Sequence, residues 1–238
     1  AKNSTLPELR TAAILPIRGK QIDPSCIALE PLGKKRVIDW VLQSSLKSNC
    51  IERVVVSTPD MDIIDYLTEH YLGQVDIHHR DYSLASISET NLKLTLLNVM
   101  HHFNITHKFG AIMQLSISAP FMSDIYYDKA LNTMRLMDVD FVIGAHVVDE
   151  NHYNHDGTGL KVMGNNKYLG GLIIEKKHLY KQIPGVLLIR GSHLNSDENI
   201  LSGQVAHIEI DEKSALTIRT DFDLNVAIAL VEHGYFSE

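Results

Sequence analysis

Apolar positions along the chain fall into short runs, and the stretches between them repeat with a period close to that of a helix. The runs "AAILPI", "RVVVSTP", "QVDIHH", "FGAIMQLSI" and "DFVIGAHVV" are short, rich in β-formers and mostly apolar, as a strand buried on both faces requires. From Lys34 onward Ile38, Leu42 and Leu46 recur every fourth residue beside Val37 and Val41, which is one face of a helix. Thr58, Pro59 and Asp60 read as the N-cap, N1 and N2 positions of a second helix, with "MDIIDYLTEHYL" as its body. "ETNLKLTLLNVMHHF" and "DIYYDKALNTMRLM" continue the series. This βαβα alternation predicts an α/β fold with a mostly parallel sheet sandwiched by helices.

The regularity fades between 149 and 184. Gly, Asn and His dominate "NHYNHDGTGLKVMGNNKYLGG" before "LIIEKKHLY", a composition suited to β-hairpins outside the main sheet. The expected organisation is a core over 1–148 and 185–238 with a small inserted β lobe over 149–184. "GVLLIRG" and "VAHIEI" return to the core, and Thr220 with Asp223 forms a capping box for "DLNVAIALVEHGY".

Composition narrows the function classes. The chain has 238 residues, 45% of them hydrophobic, and a formal charge of −7, whereas a nucleic-acid binder needs a dense basic face. Lys34, Lys35 and Arg36 are its longest basic cluster, and such a triplet suits a solvated helix start. Cys26 and Cys50 are too isolated for a disulfide framework or a thiolate metal site. No charged-then-apolar leader and no apolar run of about 18 residues is present, so the expected protein is a cytoplasmic enzyme or binding protein without a membrane span. His152, His155 and Asp156 have a spacing that metal ligands use, but without a third His or Cys nearby a polar hairpin tip accounts for them. His107 follows a helix and is assigned no function.

Motifs over Thr11 to Phe236 resemble those of the acylneuraminate cytidylyltransferases, enzymes that join a nine-carbon sugar acid to CMP using CTP and Mg²⁺. "IRGKQIDPSCIAL" and "LGKKRVI" stand in the register of that family's opening loop and helix, "VVVSTPDMDI" is similar to its second strand, and Arg80, Asp81, Leu84 and Ala85 to its R-P-x-x-L-A. "LSISAPFM" and "TIRTDFDLNVAIAL" align with two later motifs. The resemblance implies a nucleotide-diphospho-sugar transferase-like fold, a homodimer formed through the lobe, and CTP or another cytidine nucleotide with a sugar acid as partners. It further implies nucleotide contacts from Arg18, Gly19, Arg80, Leu84 and Ala85, catalytic charge from Arg18 and Lys20, and sugar-acid contacts from Ser116. Gln114, two residues earlier and expected on the same face, is a possible partial substitute.

The same alignment removes chemistry. Lysines of the family's loop are replaced by Ile22 and Ile27, the asparagine that helps hold the base by Ala28, and a terminal arginine by Met122. Thr217 and Arg219 occupy the places of two metal-binding aspartates, and a guanidinium repels a divalent cation. An active enzyme would need Arg18, Lys20 and Arg219 to take over charge stabilisation, or Asp211 and Asp221 to supply metal oxygens. In the simpler alternative Asp221 is a helix-N-terminal charge and Asp211 a turn residue. Two functions compete: impaired CMP transfer to a sialic-acid-type sugar acid, with Mg²⁺ if active, and a silent homologue that binds nucleotide or sugar or partners an active subunit. A deoxyoctulosonate-type transferase shares the early motifs but fits the middle lobe less well.

Overall fold

The computed structural model describes residues 9–86, 92–105, 108–148, 152–163, 179–196 and 199–236. Its elements are β1 (Thr11–Pro16), β2 (Pro31–Leu32), β3 (Lys35–Arg36), α1 (Val37–Lys47), β4 (Ile51–Thr58), α2 (Met61–His70), β5 (Asp76–His79), α3 (Leu92–His102) and β6 (Ala111–Gln114). There follow α4 (Asp124–Met137), β7 (Phe141–Val148), β8 (Tyr153–His155), β9 (Leu160–Val162), β10 (Leu179–Arg190), α5 (Gly191–Leu194), β11 (Val205–Glu209) and α6 (Asp221–Glu232). A seven-stranded sheet runs β11-β7-β10-β6-β1-β4-β5, in which β10 alone is antiparallel to its neighbours. Because β1, β4, β5 and β6 are parallel, the loops leaving them emerge at one edge. That edge is where open α/β sheets take ligands.

Alternation along β1 explains the two-sided core. Ala13 and Leu15 join Ile38, Leu42 and Tyr127 on one face, while Ala12 and Ile14 join Leu96, Val99 and Met100 on the other. Each fully buried Leu or Ile contributes about 2–3 kcal/mol, so a polar residue inside either layer would be costly. A third cluster of Leu32, Val37, Phe121, Ile218, Ala227 and Val231 packs α6 beside α1, with Phe121 stacked on Phe236. It anchors the segment carrying Arg219 at the ligand edge.

Local details depart from the sequence expectations. Helix α1 begins at Val37 because Pro31–Leu32 and Lys35–Arg36 first pair around Gly33, and the Arg36 amide then donates to Asp39 at 2.7 Å. Asp60, and not Thr58, caps α2: its Oδ1 accepts from the Asp62 amide at 2.9 Å, while Thr58 remains in β4. The capping box of Thr220 and Asp223 starts α6 as expected. Strand β10 begins inside the stretch assigned to the lobe, since the end of β7 pairs with it from Val148↔Leu179 onward. Pro184 and Gly185 fall where the register shifts, a bulge that tolerates the missing amide of proline. Strands β8 and β9 form a separate exposed hairpin. His107 and residues 164–178 lie outside the described residues. Among the described residues no helix is long and apolar enough to cross a membrane.

Candidate functional site

A cleft of about 400 Å³ opens at the ligand edge. One wall is the end of β1 with Arg18 and the loop residues Asp23, Cys26 and Ile27; Arg80, Leu84 and Thr95 form the second, and Ser118, Ile218 and Arg219 the third. Volume and mixed lining suit a small organic anion.

Arg80 is the unusual group. It follows β5, is only 4% exposed, and donates from Nη2 to the Ile17 carbonyl at 2.8 Å and weakly from Nη1 to Thr95 Oγ1 at 3.5 Å. Its Nε has no partner, and among the described residues it makes no ion pair. Burial first, and the Arg18 charge second, lower its pKa to about 10, so it stays cationic at neutral pH. A buried charge without a counter-ion costs several kcal/mol, an arrangement that an incoming anion relieves. Arg18 and Arg219 bring further positive charge to the cleft, against Asp23 as the single lining carboxylate among the described residues. That carboxylate already accepts from the Ser25 amide at 3.1 Å and its hydroxyl at 2.6 Å.

The loop after β1 is closed on itself. Asp60 Oδ2 accepts from the Lys20 amide at 3.0 Å, the Gly19 carbonyl accepts from the Ile22 and Asp23 amides, and the Asp23 carbonyl from Cys26. Gly19 has φ +79°, and an added Cβ would lie 2.2 Å from Asp60 Oδ2, so only glycine lets the chain rest there. Cys26, half-buried in this turn, has its thiol pKa raised chiefly by burial. The amides of Lys20, Ile22, Asp23, Ser25 and Cys26 are thus committed inside the protein.

Several expected residues therefore change role. Lys20 lies off the cleft lining, its ammonium paired with Glu30, which raises its pKa. Leu84 lines the cleft, whereas Ala85 is fully buried behind it in a single 3-10 turn, Tyr82–Ala85. Strand β6 ends at Gln114, so alternation does not carry through to Ser116, and the Gln114 amide folds back onto the Leu115 carbonyl. Ser116 Oγ lies 2.9 Å from Ser118 Oγ, behind the lining. Met122 is buried and packs in the core. Asp60 was read from sequence only as a helix position and Thr95 not at all: their contacts lie 40 and 15 residues away, with no local pattern to mark them.

The residues at the place of the implied Mg²⁺ do not suit that ion. Thr217 Oγ1 donates to the Ala215 carbonyl, and Arg219 is cationic. Asp211 is a turn residue accepting from Tyr126 and from the Lys213 and Ser214 amides, and Asp223 is occupied by the amides of Arg219 and Thr220. Asp221 is the first residue of α6. In the hairpin Asp156 pairs with Lys161, and His155 Nδ1 faces the Gly157 amide at 3.1 Å. No cluster of three His, Cys, Asp or Glu side chains able to hold a metal exists among the described residues.

The family model described as Cytidylyltransferase matches residues 28–214. It excludes both the loop from Arg18 to Ile27 and the segment around Arg219. Solved structures share the fold at low identity. A 4-diphosphocytidyl-2C-methyl-D-erythritol synthase from Anaerococcus prevotii is 16% identical with a TM-score of 0.70, over 97% of this chain and 100% of that one. A CMP:2-keto-3-deoxy-manno-octonic acid synthetase complexed with CTP is 16% identical with a TM-score of 0.67, over 94% and 99%. A 2-C-methyl-D-erythritol 4-phosphate cytidylyltransferase from Thermus thermophilus is 13% identical with a TM-score of 0.59, over 92% and 98%. No curated protein sequence matches the chain.

Proposed function

The chain belongs to the cytidylyltransferase family, and on that premise we propose that its cleft binds CTP, with the triphosphate on Arg18, Arg80 and Arg219. The buried, unpartnered Nε of Arg80 carries this reading, because its fork lacks the anion that would complete it. Leu84 offers an apolar contact for the base. A nucleotide in this cleft accords with the similar fold of the synthetase complexed with CTP.

The second ligand in this reading is a sialic-acid-type sugar acid, and CMP transfer to it is slow. In-line transfer needs charge stabilisation at the leaving pyrophosphate, and one preorganised group typically supplies about 3–4 kcal/mol of it. Lys20 is held by Glu30, and Ile22 and Ile27 carry no charge. A silent binder is the second reading, favoured by the closed loop and its Asp60 carboxylate.

Calorimetric titration with CTP, UTP and ATP, followed by pyrophosphate release across nine-carbon and eight-carbon sugar acids, tests both. The expected result is CTP binding at least tenfold tighter than ATP, with turnover close to background. Equal affinity for all three nucleotides would sink the cytidine reading, and robust turnover would sink the impairment.

A further inference from the structure

We infer that the cleft takes its nucleotide as a metal-free polyphosphate, with the Arg219 guanidinium standing in for the divalent cation. This rests on the reading of the cleft as a nucleotide site and adds the ionic form that it selects.

Charge sets the selection. Arg18, Arg80 and Arg219 face the cleft, and among the described residues Asp23 is the one lining carboxylate, whose Oδ1 is already engaged by Ser25. A polyphosphate entering alone meets an excess of positive charge. A divalent cation riding on the same phosphates cancels the charge that the cleft attracts, and it occupies oxygens that the guanidiniums would bond. Among the described residues no further carboxylate of the lining is there to share it: Asp221 lies off the lining at the start of α6, Asp223 and Asp211 accept from backbone amides, and Thr217 donates to a carbonyl.

Position makes Arg219 the substitute. Its neighbour Ile218 is 2% exposed in the third cluster, and the Ile218 amide donates to the Ser118 carbonyl at 2.8 Å. The Arg219 amide is held by Asp223 at 2.9 Å through the α6 capping arrangement. The backbone on both sides is therefore fixed, while the side chain is exposed and, among the described residues, makes no ion pair. A fixed backbone with an uncommitted guanidinium at the mouth is a preorganised cation. Binding in this form needs no metal, and Mg²⁺ acts as a competitor for the phosphates.

Calorimetry on the intact chain tests this with two probes, CTP and inorganic tripolyphosphate, each in chelator and in saturating Mg²⁺. Wild type should bind both probes at least threefold more weakly in Mg²⁺. Arg219→Ala should lose at least tenfold in chelator, and Arg219→Asp should reverse the sign so that Mg²⁺ tightens CTP; melting curves show that these exposed-site variants stay folded. A loss in Mg²⁺ smaller than threefold, any tightening by Mg²⁺ in wild type, or a smaller effect of Arg219→Ala overturns the inference. CTP binding that Mg²⁺ strengthens leaves the nucleotide reading intact and removes the inference alone. Tripolyphosphate bound as tightly as CTP supports the metal-free anion and removes the cytidine reading, and failure of both probes to bind removes both.

Discussion

Two walls of one cleft treat their polar groups in opposite ways. In the loop from Arg18 to Ala28, amides of Lys20, Ile22, Asp23, Ser25 and Cys26 all donate inside the protein, one of them to a carboxylate 40 residues away. Across the cleft, Arg80 is as buried as a core residue yet keeps its charge and leaves Nε without an acceptor. Folding can finish a loop with its own carbonyls and an aspartate, and doing so removes the need for a ligand there. Arg80 is buried without an ion pair among the described residues, and in the reading proposed above a ligand supplies its missing acceptor. In that reading, phosphate recognition falls to arginine side chains and not to backbone amides.

Four changes break or sharpen this contrast. The largest effect is expected from Gly19→Ala, which combines a positive φ with a Cβ 2.2 Å from the Asp60 carboxylate; urea denaturation should show a loss of about 4 kcal/mol. Next is acid. His78 is buried on β5 two residues before Arg80, accepts or donates at Ser57 Oγ, and has its pKa lowered to about 4 by burial first, then by His102, Arg80 and His79. Arg80 cannot shed its proton, whereas His78 does so on folding. Since the unfolded state binds the extra proton, stability should fall as pH drops from about 6.5 to 4, by about 3 kcal/mol at most, and His78→Asn should flatten that slope. Third, Arg80→Met should weaken CTP about 30-fold, roughly 2 kcal/mol, while thermal stability holds or rises because a buried unpaired charge is gone. A variant that loses both would make Arg80 a structural residue. Smallest is Asp60→Ala, which should cost about 1 kcal/mol through the lost α2 cap and the orphaned Lys20 amide, read by the same denaturation.

Hydrophobic periodicity made the fold legible: β1, β4, β7, α4 and α6 lie where apolar runs and the Thr220 and Asp223 pair place them. Helix α2 starts two residues after the predicted position because Asp60 Oδ1 takes the Asp62 amide as its cap, while the contact of Asp60 Oδ2 with the Lys20 amide, 40 residues away, has no local signature. The site was legible in part. Arg18, Arg80 and Leu84 converge because each follows a strand or turn at the same sheet edge. Lys20 and Gln114 lie off the lining for reasons that sequence does not mark: Glu30, ten residues on, pairs with the Lys20 ammonium, and β6 stops at Gln114 before alternation can carry on. Arg219 reads in sequence as the loss of a metal ligand; only its place on the cleft wall shows a cation left in that position.

The most direct measurement is a crystal structure with CTP bound in chelator. The account predicts phosphate oxygens at about 2.7–3.2 Å from Arg80 Nε and from the guanidiniums of Arg18 and Arg219, with Asp60 still on the Lys20 amide. Phosphates seated on the amides of the Gly19 to Ala28 loop, with Asp60 displaced and Arg80 Nε still unpartnered, would contradict it.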